Sequence, residues 1–172
     1  MQMLKSLVKA IDSFINIIGR IIGIILIIPL IGATVYDVIL RRFFATSTIW
    51  AYDITWMFYA IFFLIGLSYC MQKDGHVRVD SFYAKIPERK RALLECFYFI
   101  VFVFPVIFII LTYSIPWAWK SWLSHDRSQY TLWRPYVAPV KSFLPISFAL
   151  LGLQSISVFI KKLSYAIKGV EL

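Results

Sequence analysis

Between residues 14 and 40 the chain carries charge only at Arg20 and Asp37. A run of that length exceeds what a soluble core helix needs, and about 20 apolar residues suffice to cross the hydrocarbon of a bilayer. Three more such runs follow, at residues 50–71, 93–119 and 143–160. Composition agrees: 60% of the 172 residues are hydrophobic and only 16% charged, with a mean hydropathy of +0.77. A soluble domain of this size could not hide so much apolar surface. The expected fold is therefore all-α, a single integral membrane domain over residues 1–172 built as a bundle of four transmembrane helices.

Pro29 and Pro105 each remove a backbone donor inside an apolar run, so a kink is expected near residues 25–29 and another near Pro105. The first run is longer than the apolar core of a cleavable signal, and the first helix is expected to be retained. No internal repeat is visible, nor the paired broken helices of an inverted-repeat transporter. Cys70 and Cys96 lie in or at the end of apolar runs and read as packing residues.

The formal net charge is +9, yet Lys and Arg gather at the edges of the apolar runs rather than in one patch. This reads as a topology signal and not as a nucleic-acid surface. They concentrate at the N-terminus, between the second and third runs, and after the fourth. The opposite side holds fewer, namely Arg41, Arg42, Lys120, Arg127, Arg134 and Lys141. Both termini are accordingly expected in the cytoplasm, with Trp50, Trp117, Trp119, Trp122 and Trp133 at the outer interface.

Few residues are placed for chemistry. Arg20 sits close enough to the cytoplasmic interface to snorkel. Asp37 precedes Arg41 and Arg42 at helical spacing, which favours a local ion pair. Asp53 falls in the first turn of the second helix, where exposed N–H groups favour a carboxylate. Both histidines, His76 and His125, lie in connections, which disfavours a haem or quinone anchor needing axial histidines in its helices. His76 with Asp74 and Asp80 is a poor metal set. His125 and Asp126 read as a surface hydrogen-bonded pair without a nucleophile beside them. Catalytic, cofactor and metal residues are thus expected to be none.

The connection MQKDGHVRVDSFY at residues 71–83 combines a helix stop at Lys73, Asp74 and Gly75 with an amphipathic pattern at Val79, Phe82, Tyr83 and Ile86. A short interfacial helix between the second and third spanning helices is expected, with Pro87 in the first turn of the helix that follows.

The order of RRFF (41–44), WAYD (50–53), FLIGLSY (63–69) and GHVRVD (75–80) in a four-helix chain of this length resembles the small permease subunit of tripartite ATP-independent periplasmic (TRAP) transporters, the DctQ-like family. SWLSHD, WRPYVAPVK and FALLGLQ resemble one subgroup. Many members carry two acids after the tryptophan, where this chain has Tyr52 and Asp53. The resemblance implies a non-enzymatic inner-membrane scaffold for a large elevator-type subunit in a stable heterodimer. A periplasmic binding protein engages transiently at the outer face, membrane lipids surround the pair, and no nucleic acid is involved. The imported ligand would be an organic acid anion, and no cofactor belongs to this subunit, since sodium coupling resides in the large partner. It also marks Arg41, Arg42, Trp50, Asp53, Gly66, His76 and Asp80 as motif, structural or subunit-interface positions. The alternatives are a membrane anchor of a redox complex and a self-contained small exporter, which would need a mid-helix acid.

Overall fold

A computed structural model describes residues 2–73 and 87–168. The interfacial helix expected at residues 79–86, together with Asp74, Gly75, His76 and Asp80, lies outside them. Helix α1 spans Gln2–Phe44 and α2 spans Ala51–Gln72. Helix α3, Glu88–Tyr98, passes through a π-helical turn at Phe99–Val103 into α4, Phe104–Leu123, and α5 covers Ala138–Lys168. These make four rods long and apolar enough to cross a membrane: α1, α2, the composite α3–α4, and α5.

One helix irregularity falls at a proline. Pro105 has no N–H, and in a regular α-helix its ring would press on the carbonyl of residue 101, which lies inside the π turn. Widening the helix there relieves that clash. Pro29, where a kink is also expected, leaves α1 an uninterrupted helix from Gln2 to Phe44. Pro87 stands just before α3 rather than in its first turn.

The rods differ in length for a reason visible in their pairing. At 1.5 Å per residue α2 is about 33 Å long, close to the hydrocarbon thickness, whereas α1 is about 65 Å. The two are aligned near one end by the Gln72 side-chain amide, which donates to the Asp12 carbonyl oxygen, and at the other by Tyr36 stacked on Trp50 with centroids 5.8 Å apart. The N-terminal part of α1 therefore projects past the end of α2.

Helix α5 is the hub, packing against α1, α2, α3 and α4. One apolar cluster, Leu26, Ile61 and Ile65 with Val140 and Phe143 against it, joins α1, α2 and α5. A second, Met71, Phe99 and Val158, joins α2, the π turn and α5. Phe99, Phe104 and Phe159 meet within it at centroid distances of 5.7 to 6.4 Å. Most large apolar side chains of α1 and α4, such as Ile28 and Phe108, point outward. Lipid hydrocarbon is as apolar as these side chains, so burying them gains little. Beside the two apolar clusters, many inward-facing side chains are small or polar: Ser68, Ser121, Ser147, Ser155, Ser157 and Gln154 are all almost fully buried.

One glycine sets a helix contact. A β-carbon at Gly19 would lie 2.7 Å from Cδ2 of Tyr69, so only glycine lets α1 approach α2 at that level. Gly66, the residue whose resemblance marks it as an interface position, does not play this part within the subunit. A β-carbon there would meet no atom within 4 Å.

Candidate functional site

Carboxylates organise both ends of the bundle. At the end carrying the N-terminus, Asp12 of α1 faces α5. Its Oδ1 accepts from Gln154 Nε2 at 3.1 Å and from Ser157 Oγ at 2.9 Å, and its Oδ2 pairs with the Lys161 ammonium. With Gln72 on its main chain, Asp12 ties α1 to both α2 and α5. Beside it Glu95 of α3 binds Lys162 of α5 at 2.9 Å and Arg91 at 3.4 Å. Charged hydrogen bonds in such low-dielectric surroundings define one register between rods that apolar contact alone would leave free to slide.

At the opposite end the connection between α4 and α5 folds back as a small hairpin. Val137 N donates to Asp126 O at 3.0 Å, Ser128 N donates to Pro135 O at 2.9 Å, and Arg127 bridges Tyr136. His125 and Arg134 take left-handed backbone conformations, φ 49° and 48°, to make the turns. Arg127 lies over the Tyr136 ring, 4.5 Å from its centroid, and donates to its hydroxyl at 3.0 Å.

Asp53 latches this hairpin to α2. The residue is fully buried, and its Oδ1 accepts from Trp56 Nε1 at 3.0 Å and from Ser128 Oγ at 2.6 Å, while Thr131 Oγ1 donates to Oδ2. Asp126 anchors the other side of the hairpin, receiving Lys141 Nζ at 2.7 Å and Ser124 Oγ at 2.8 Å. Those bonds, the lysine's first, hold its carboxyl down at about 2, below the ordinary 3.8. Lys141 also rests on Trp117, 4.6 Å from the ring centroid. Beneath the hairpin opens a groove of about 560 Å³, walled by Trp56, Leu64, Trp117, Tyr130 and Leu144.

The sequence expectations meet this geometry unevenly. Asp37 pairs with Arg41 at 2.7 Å, as its spacing predicts, and also takes the Thr48 N–H at 3.0 Å and the Thr48 hydroxyl at 2.5 Å, closing the turn into α2. Arg42 is exposed and has no partner among the described residues. Trp50 stacks on Tyr36 at the interface. Asp53 occupies the first turn of α2, but its partners are side chains of α2 and the hairpin rather than free N–H groups of the helix end. The expected His125–Asp126 pair gives way to Lys141 and Ser124 on the aspartate, while His125 lies edge-on to Tyr136 at 6.2 Å. Cys70 and Cys96 are free, and Cys96 is buried.

Asp12 and its α5 partners are the residues that sequence reasoning missed. A signal exists, because Gln154, Ser157 and Lys161 recur at helical spacing as a polar stripe on an otherwise apolar helix. Such a stripe in a membrane needs a polar counterpart, and Asp12, just ahead of the first apolar run, is one. Ser128 and Thr131 carry no comparable mark.

Among the described residues, the acids inside the bundle join elements: Asp12, Asp37, Asp53 and Glu95 each reach another helix or connection. A comparison with curated proteins gives no match. The family model for the DctQ component of tripartite ATP-independent periplasmic transporters matches residues 30–164. That span includes the α2 latch, the hairpin and most of α5, and the family is one of transporter components, not enzymes, working with a large membrane subunit and a periplasmic binding protein. The chain belongs to this family, as the small membrane subunit of a TRAP transporter.

Proposed function

We propose that the chain is the static brace of a sodium-coupled importer of an organic acid anion. In this reading the large subunit carries the substrate, the sodium ions and the elevator motion. The small subunit forms a stable heterodimer with it and holds its scaffold against the bilayer, while the periplasmic binding protein docks transiently at the hairpin end. The observation that carries the proposal is the closure of the acids within the bundle. A cation-driven carrier needs a mid-membrane site it can fill and empty, such as an unwound helix or an unpaired acid, whereas among the described residues Asp12, Asp37, Asp53 and Glu95 are tied between elements. Rigid ties suit a part that must not move while its neighbour does.

The distribution of Lys and Arg supports both termini in the cytoplasm of an inner-membrane protein, which puts the Asp12 node inside and the hairpin outside. The exposed apolar faces of α1 and α4 offer area for the lateral subunit contact. The test is co-purification from mild detergent with uptake measured in parallel. The tagged chain is expected to bring down a much larger membrane protein, and deleting it to abolish sodium-dependent uptake. A chain that runs alone at every expression ratio, with uptake persisting in its absence, would refute the role.

A further inference from the structure

A groove of about 300 Å³ runs between α1 and α2 on the surface of the rods, lined by Gly19, Gly23, Ile27, Phe62 and Gly66 and flanked by Arg20 and Tyr69. Missing side chains make it: a β-carbon at Gly66 would meet nothing within 4 Å, and one at Gly23 only Phe62, at 3.9 Å. The wall is apolar and no acid lines it. Arg20 at its edge is exposed and has no ion pair or hydrogen bond among the described residues. The nearest acid on its own helix, Asp12, lies two turns away and is held by Lys161, Gln154 and Ser157.

The depth of the groove mouth is set by the helix pairing. Gly19 abuts Tyr69, about one turn before α2 ends at Gln72, so the Arg20 guanidinium reaches the level of lipid headgroups. A second cation joins it there, since the Lys73 ammonium lies 5.7 Å from the centroid of the Tyr69 ring. Two cations at the mouth of an apolar groove that no acid lines among the described residues complement an anion that carries its own hydrocarbon. A guanidinium donates two parallel hydrogen bonds to a phosphate, and a groove of about 300 Å³ holds an acyl chain more readily than a helix about 10 Å across.

We propose that this groove binds one anionic glycerophospholipid, its phosphate held between Arg20 and Lys73 and one acyl chain lying along Gly23 and Gly66. The lipid fills the gap that the glycines leave and brings a negative charge to Arg20, which has no ion pair among the described residues.

The experiment uses the full chain co-purified with its large subunit, exchanged into detergent with equal phosphatidylglycerol and phosphatidylcholine of matched chains, and read by native mass spectrometry. Phosphatidylglycerol is expected to stay bound at the higher fraction. Each neutralised cation should reduce its retention about fivefold, so the Arg20→Gln, Lys73→Gln double variant should lose roughly twenty-five-fold. Gly66→Leu, whose β-carbon meets no atom within 4 Å and whose branched end takes up groove space, should release the lipid while the two subunits still co-elute. Equal retention of the two lipids, or an unchanged double variant, would overturn the proposal. So would full competition by millimolar inorganic phosphate, which would show that no acyl chain contributes. Loss of subunit co-elution in Arg20→Gln with lipid still bound would assign Arg20 to an acid of the large subunit instead.

Discussion

Replacing Asp53 by alanine should release the outer hairpin while leaving the four rods in place. Three donors converge on this buried carboxylate: Trp56 Nε1, Ser128 Oγ and Thr131 Oγ1. Alanine orphans all three, and each buried donor left without a partner costs about 1 to 3 kcal/mol. Trp56 and Thr131 are only partly buried and can find other partners, so the lower figure is the appropriate one. Three such losses make about 3 kcal/mol, or somewhat more than a hundredfold in the equilibrium between latched and open hairpin. Asparagine retains the shape and one acceptor oxygen, and rotating hydroxyls can adapt to its amide, so it should cost about 1 kcal/mol. Hydrogen exchange reads the difference directly, because the Ser128 and Val137 amides are protected only while the hairpin is closed. Exchange over residues 124–137 should accelerate strongly in Asp53→Ala, modestly in Asp53→Asn, and hardly at all in α1 or α3. If Asp53→Ala left hairpin protection within twofold of the parent, the latch would be wrong and the carboxylate would serve something else.

Three further outcomes follow from the same contacts. The Asp126 carboxyl sits near 2 in the folded chain against an ordinary 3.8, so it favours the closed hairpin above about pH 4, and that contribution should fade as pH falls toward 2. Fluorescence of Trp117 and Trp122 should follow this fade in the parent and lose it in Asp126→Asn. Gly19→Ala drives a β-carbon against Tyr69 and should cost about 1 to 3 kcal/mol in thermal unfolding, whereas Gly66→Ala should stay within about 0.5 kcal/mol; equal effects would refute the close approach. Asp12→Ala should destabilise by about 2 kcal/mol, and a double-mutant cycle with Lys161→Met should show coupling of at least about 0.5 kcal/mol; strict additivity would dissolve the node.

How much of this site is legible in the sequence depends on the range of each contact. The Asp37–Arg41 pair lies one turn apart on a single helix, and local spacing is enough to find it. Asp53 is recognisable as a residue placed at a helix start, yet its partners Ser128 and Thr131 come from a hairpin that composition reads only as a polar connection. Asp12 was the harder case. Near the N-terminus beside Lys5 and Lys9, it looks like part of a solvated edge until α5 is laid against it. Gly66 shows the opposite limit, because a glycine in a spanning helix signals close packing or an empty groove equally well, and only its neighbours distinguish them.

The sequence by itself determined the number of spanning helices and their approximate limits, because the bilayer imposes length and polarity on each segment separately. It also carried the family, through motifs strung along one strand of chain. Only the tertiary structure decided that α5 is the hub, that Asp12 and Asp53 clamp opposite ends, and that Gly19 rather than Gly66 brings α1 onto α2. The physical reason lies in the solvent. Lipid rewards apolar surface everywhere and so cannot choose which faces of four apolar helices meet. That choice falls to a few polar groups and a missing side chain, whose partners are distant in sequence.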